Sequence, residues 1–238
     1  MAVLSSPSSS ENMSEPLFSN KPPDQGLTLD RLAVLLNGRA LFRLSFSAEP
    51  GEIVTVMGPS GSGKSSLLAA ICGTLDPVFE IAGHILLEGC RIEAKPPELR
   101  RVGILFQDDL LFPHLSVGGN LAFGLPAEVK GKAARRARVE RALSAADLEG
   151  FADRDPATLS GGQRARVSLL RVLLSEPRAL LLDEPFSKLD TALRARFRAF
   201  VFQEVRKRAL PALLATHDYA DAKAAGGRVI VLEPPSIP

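Results

Sequence analysis

The stretch Gly58-Pro59-Ser60-Gly61-Ser62-Gly63-Lys64-Ser65 limits the folds open to this chain more than any other. Before it stands Glu52-Ile-Val-Thr-Val-Met57, a β-branched apolar run that predicts a short buried strand. After it, Lys64-Ser-Ser-Leu-Leu-Ala-Ala-Ile-Cys72 has helical spacing and helix-forming residues. The pattern G-x-x-x-x-G-K-S between strand and helix predicts a loop in which Gly58, Gly61 and Gly63 take left-handed angles and aim successive N–H groups at one point. The helix N-terminus adds partial positive charge there, so a phosphate chain fits. Lys64 then reaches the β- and γ-phosphates and the Ser65 hydroxyl ligands Mg2+, with Pro59, Ser60, Ser62 and Ser66 completing the candidate cradle.

Such a loop needs an acidic partner for the metal, and Ala179-Leu-Leu-Leu-Asp183-Glu184-Pro185 offers one. The apolar run predicts a buried strand whose carboxyl end presents Asp183, where open parallel sheets place ligand-binding groups. Asp183 is the candidate metal ligand and Glu184 the candidate general base for an attacking water. Taken alone, Asp-Glu-Pro after a strand reads equally well as a solvated turn.

Leu159-Ser160-Gly161-Gly162-Gln163, followed by Arg164-Ala-Arg-Val-Ser-Leu-Leu-Arg171, resembles the signature motif of ATP-binding-cassette (ABC) ATPases and the helix after it. Ser160 suits an N-cap, and the two glycines let a phosphate approach the helix start. The resemblance implies that this motif closes over ATP held by the P-loop of a second, identical subunit, so that two ATP molecules lie between two chains. Other parts follow in the family's order. Val102-Gly-Ile-Leu-Phe106 predicts a strand ending at Gln107, which looks like the glutamine that senses γ-phosphate and metal. Ser187-Lys188-Leu189-Asp190 resembles the loop that crosses to the other subunit, with Lys188 replacing the usual alanine. Leu213-Leu-Ala-Thr216 predicts a strand ending at His217, which resembles the switch histidine; His84 and His114 read as structural. The implied catalytic set is Glu184, His217, Gln107 and Lys64, with Ser65, Gln107 and Asp183 around Mg2+.

One part is missing. The family stacks adenine on an aromatic residue ahead of the P-loop, and counting back places that position near Leu35 or Leu36. Its loss is expected to weaken nucleotide binding about tenfold and to leave modest selectivity between ATP and GTP.

The resemblance spans Leu27 to about Leu232 and implies an α/β cassette: a RecA-like P-loop core, an N-terminal antiparallel β subdomain and an inserted α-helical subdomain. The expected boundaries are a disordered tail at 1–26, core segments at 27–107 and 165–232, a helical signature subdomain at 108–164, and a tail at 233–238. Asn37-Gly38 predicts a hairpin joining strands 27–37 and 41–47. The P-loop strand, the strands ending at Gln107, Asp183 and His217, and Arg228–Leu232 are expected to build a mixed sheet. Lys132–Leu148 predicts a helix with its arginines outward, read as a solvated face with anionic lipid or a partner as the alternative.

With 29 basic and 27 acidic residues the net charge is only +2, which gives no general argument for a nucleic-acid surface. Cys72 and Cys90 lack paired metal spacing and read as reduced structural thiols, which suits a cytoplasm. No apolar run approaches the ~20 residues of a membrane span, and Met1–Gly26 does not read as a secretory signal. Asp108-Asp-Leu-Leu-Phe-Pro-His-Leu-Ser-Val117 with Asn120-Leu-Ala-Phe-Gly124 resembles the segment of importer ATPases that receives a coupling helix from the membrane permease. Leu110, Leu111, Phe112 and Leu115 are its candidate groove residues, or else simply pack the helical subdomain. The resemblance therefore implies a peripheral subunit on the cytoplasmic face of a bacterial membrane, partnered by a permease, a second ATPase subunit and a solute-binding protein. Small solutes such as thiamine, sulfate, iron or polyamines are the implied cargo, with a thiamine-type branch the nearest in pattern. An exporter ATPase and a soluble ABC ATPase are the alternatives. The second is disfavoured because the segment between Gln107 and Ser160 has no room for long coiled coils and only one cassette is present.

Overall fold

A computed structural model describes residues 25–233. In chain order the elements are β1 (Leu27–Leu36), β2 (Arg39–Ala48), β3 (Ile53–Met57), α1 (Lys64–Cys72), β4 (Phe79–Leu87), β5 (Cys90–Arg91), β6 (Val102–Leu105), α2 (Val117–Phe123), α3 (Lys132–Ser144), α4 (Gly161–Leu174), β7 (Ala179–Asp183), α5 (Thr191–Lys207), β8 (Ala212–Thr216), α6 (Tyr219–Ala225) and β9 (Val229–Val231). The tails expected at 1–26 and 233–238 fall, apart from Gln25, Gly26 and Glu233, outside the described residues.

The predicted hairpin forms: Asn37 and Gly38 both take positive φ (51° and 75°), and β1 pairs antiparallel with β2 across them. On its other edge β1 pairs with β4, giving an antiparallel sheet in the order β2-β1-β4-β5. Nothing in the residue pattern predicts the strands at 79–91. Cys90 starts β5, immediately after the Glu88-Gly89 turn, and is exposed rather than structural. Cys72 is buried, and burial pushes its thiol up to about 11, so it stays protonated.

The second sheet has the order β6-β7-β8-β3-β9 and is parallel in every pairing, where a mixed sheet was expected. Each of its connections passes through a helix, which returns the chain to the same end of the sheet before the next strand begins. Alternation along the strands sends neighbours to opposite faces. Val54, Val56, Leu181 and Leu213 face α1 and the antiparallel sheet, while Ile53, Leu180, Leu182 and Leu214 pack with Phe186, Phe197 and Phe202. A third cluster joins α2, α3 and α4 through Val117, Leu121, Val139, Leu143, Val167 and Leu170. Helix α4 belongs to two clusters. Ala165, Leu169 and Leu173 form one stripe against the parallel sheet, and Val167 and Leu170 form another against the helices.

The arginines of α3 do more than face solvent. Arg135 donates to the carbonyls of Ala122, Pro126 and Val129, Arg136 pairs with Glu140 and Asp153, and Arg138 pairs with Glu176. That leaves little of the helix free as an anionic-lipid surface.

Arg100 pins the end of α1. Its buried guanidinium donates to the carbonyls of Ala70 (2.7 Å), Ile71 (3.0 Å), Glu93 (2.7 Å) and Lys95 (2.8 Å). These include carbonyls that the last helical turn cannot itself satisfy. The guanidinium lies where a side chain at Gly73 would stand, since a Cβ there would meet it at 2.6 Å. We predict that Arg100→Met, which keeps the length and removes the donors, lowers the unfolding free energy by about 3 kcal/mol. The check is the urea midpoint of the two proteins, and an unchanged midpoint would contradict the clamp.

Candidate functional site

The C-terminal ends of β3, β7 and β8 lie side by side because these strands run parallel in register: Met57 is opposite Thr216, and Asp183 is opposite Ala215. The residues that follow each strand therefore converge, and a cleft of about 530 Å3 opens above them. Its walls include Ser60, Gly61, Gly63, Lys64, Ser65, Ser66, Gln107, Asp183 and Glu184.

Gly63 is the residue before α1 and takes φ 92°, and Gly61 takes φ 82°, as the phosphate-loop pattern requires. Gly58 differs from expectation, since its φ is not positive. Glycine is needed there for space: a Cβ would stand 2.5 Å from Ser62 Oγ and 2.6 Å from the Leu232 carbonyl oxygen. Ser62 Oγ is buried without a hydrogen-bond partner under the loop. Lys64 is only 6% exposed and folds back over the loop, donating to the carbonyls of Gly58 (2.9 Å) and Pro59 (3.0 Å), with Glu184 Oε1 at 3.9 Å.

Asp183 ends β7 and lines the same cleft as Ser65. Burial raises its pKa above the usual carboxylate range, and the neighbouring Glu184 charge acts in the same direction. This carboxylate carries a desolvation cost that a cation would relieve. Ser65 and Asp183 offer oxygen donors fit for a hard cation. No group of three His, Cys, Asp or Glu among the described residues forms a metal cage. That combination suits Mg2+, which is held by one or two carboxylates together with phosphate oxygens.

Glu184 carries a feature that residue type alone did not reveal. Its backbone sits at φ 44°, a strained region for a side chain of this size, and its N–H donates to the Ala215 carbonyl at 3.0 Å. The side chain is thereby directed toward both Lys64 and His217, whose Nδ1 lies 3.1 Å from Glu184 Oε1. The His217 side chain is 58% exposed and free to meet a ligand. Gln107 follows β6 and is exposed at the cleft.

Ser160, Gly161, Gly162 and Gln163 are not brought to this cleft within the same chain. They open α4, and Ser160 forms a full capping box: its Oγ accepts from the Gln163 N–H and Gln163 Oε1 accepts from the Ser160 N–H at 2.9 Å. Ser160 is exposed, whereas Gly162 is buried against Leu193, where a Cβ would approach to 2.4 Å. Ser187–Asp190 lies between Glu184 and α5, with Ser187 Oγ donating to the Glu184 carbonyl and Asp190 capping α5. Lys188 pairs with Asp108, and Arg164 with Asp109, so the segment after Gln107 is tied to this loop and to α4.

Asn120 stands in the segment singled out from the sequence, but its role there is shown only by the fold. Fully buried, it accepts from the Phe112 N–H (2.8 Å) and donates to the carbonyls of Phe112, Leu115 and Ser116, and so shapes the Leu-Phe-Pro-His-Leu segment. Of the candidate groove residues, Leu111 packs into the helical cluster and Leu110 is exposed. Phe112 stacks edge-on with the exposed Phe123, their ring centres 4.8 Å apart.

Comparison with known proteins bears on this geometry. Residues 41–187 match the family model described as ABC transporter. The chain is 53% identical over 190 residues to the uncharacterized ABC transporter ATP-binding protein YnjD of Escherichia coli, covering 80% of this chain and 87% of that one. It is 41% identical to the Fe(3+) ions import ATP-binding protein FbpC of Streptomyces avermitilis over 87% of this chain, while spanning only 59% of that relative's length. Among solved structures, cbiO1 of Clostridium perfringens, part of the ABC transporter complex cbiONQ, superposes with a TM-score of 0.77 at 28% identity, covering 88% of this chain and 85% of that one. These names do not bear on the thiamine-type branch expected from the sequence. The matched model takes in the P-loop, Gln107, Ser160–Gln163, Asp183 and Glu184, and the chain belongs to the ABC transporter family, among its ATP-binding proteins.

Proposed function

We propose that the chain is the ATP-hydrolysing subunit of a bacterial importer for a small solute and works as a homodimer against a membrane permease. The observation that carries this reading is the split of phosphate-binding parts. Lys64, Ser65, Asp183 and Glu184 share one cleft, with His217 beside Glu184 at 3.1 Å, while the exposed Ser160 capping box opens α4 outside it. A second copy placing its Ser160–Gln163 over the cleft completes the site. The iron import relative and a spermidine/putrescine import relative, 42% identical over 81% of this chain, support import and a solute of that size.

In this mechanism Lys64 Nζ exchanges the Gly58 and Pro59 carbonyls for phosphate oxygens, and the N–H groups of the loop and of α1 receive the rest of the phosphate chain. Ser65, Asp183 and Gln107 would hold Mg2+, which would neutralise charge on the phosphates. Glu184 takes the proton of the attacking water, and His217, at 3.1 Å, holds that carboxylate in place and meets the γ-phosphate. Closure of the two subunits moves α2 and α3 relative to the parallel sheet, with α4, which packs on both, tilting between them.

The permease is proposed to dock on the 108–125 region. Leu110 (56% exposed) and Phe123 (69%) present apolar surface there, with Phe106 close by in sequence and also exposed. No helix among the described residues is long and apolar enough to cross a membrane, so attachment to the cytoplasmic face would run through the permease. A periplasmic or lipoprotein solute-binding protein would deliver the cargo. An exporter is the second reading, and copurification with the permease encoded alongside separates the two.

Two variants test the chemistry. Glu184→Gln is expected to lower kcat by at least about a hundredfold while ATP affinity stays within about threefold of wild type, and ATP should then trap a closed dimer on a sizing column. Turnover near wild type would remove Glu184 from the role of base. Ser160→Arg is expected to abolish both ATP-driven dimerisation and turnover while ATP still binds the monomer. An unaltered ATPase rate in that variant would sink the two-subunit site.

A further inference from the structure

The base of the nucleotide has no aromatic partner at the positions where counting along the sequence places one, because Leu35 and Leu36 are aliphatic. We propose that Phe79, the first residue of β4, supplies the missing ring and stacks on the adenine. This rests on the reading of the cleft as an ATP site and assigns the residue that grips the base.

Three observations converge. The cleft that holds Lys64, Ser65 and Asp183 is walled on its antiparallel-sheet side by Leu36, Leu41 and Phe79, which leaves Phe79 as the sole aromatic side chain lining it among the described residues. In the β1–β4 register Phe79 lies directly opposite Leu36. Residues directly opposite in an antiparallel pair point to the same face, ~5 Å apart, so the ring has moved one strand sideways from the β1 position while keeping its face toward the cleft. Its backbone is also fixed in advance: Phe79 N–H donates to the Asp76 carbonyl (3.0 Å), and Val78 N–H to Asp76 Oδ1 (2.9 Å), in a side-chain-capped turn. Leu75, Leu41 and Phe79 pack on the main core, so the ring is half-buried with one side left to the cleft.

A phenyl face stacks on any base, so this contact adds affinity and little discrimination between ATP and GTP. The phosphates remain with the P-loop, which follows β3 of the parallel sheet, whereas Phe79 belongs to the antiparallel one. The two contributions are therefore separable by ligand.

Wild type, Phe79→Ala and Phe79→Trp are compared by calorimetry with MgATP and with magnesium tripolyphosphate, which carries the phosphate chain and no base. The expected result is a rise of about tenfold in the Kd of Phe79→Ala for ATP, with the tripolyphosphate Kd within about twofold of wild type. The chain contains no tryptophan, so Phe79→Trp introduces a single emitter. Its fluorescence should be quenched by ATP and left unchanged by tripolyphosphate, and ATP affinity should match or exceed wild type. Wild-type affinity for ATP in Phe79→Ala overturns the assignment, as does equal loss of both ligands, which would mark a distorted phosphate loop. Tryptophan emission that does not respond when Phe79→Trp binds ATP overturns it as well. If wild type binds neither ligand, the ATP site itself fails and the assignment falls with it.

Discussion

The in-register parallel pairing of β7, β8 and β3 is the constraint from which the rest of the cleft follows. Parallel strands of equal register end at one level, so whatever the chain places just after each strand is gathered without further design. Gly58, Asp183 and His217 stand far apart in sequence, yet each sits within a residue of a strand end. A slip of β7 by one residue would turn Asp183 toward the other face of the sheet, among the phenylalanines that pack there. The cost of burying the Asp183 carboxylate among those rings is what opposes such a slip.

Much of this was legible in the chain because it is local. The strand, the glycine loop and the Lys64–Cys72 helix carry their own signals, and β7 and β8 read as short apolar runs ending in polar residues. Asn37-Gly38 announced its turn. The strand β4 did not, because its first residues are exposed and only its end is buried, so Phe79-Glu-Ile-Ala-Gly has neither clean alternation nor a continuous apolar run.

What remained hidden in the site depends on pairings between distant segments. That Phe79 shares a face with Leu36 is a matter of strand register, which residue types do not encode. Asn120 was picked out only as part of the importer-like segment, since nothing in its neighbours says that four main-chain groups will surround it. Glu184 was recognised by type, but its positive φ and the hydrogen bond its N–H makes to β8 belong to the folded chain alone. Gly58 was recognised as necessary for the wrong reason, because steric crowding from Ser62 and Leu232 exists only in the folded state.

Helix α4 carries two apolar stripes, one on the sheet and one on α2 and α3, and Ser160 at its tip. Being shared, it acts as an axle: the small helices cannot shift without either tilting it or shearing Leu169 and Leu173 across the sheet. Its 14 residues make a lever ~21 Å long, so a tilt of about 10° about the far end carries the tip ~4 Å. That distance exceeds the length of a hydrogen bond, so a small angular change in the packing of Val167 and Leu170 suffices to engage or release whatever Ser160 touches.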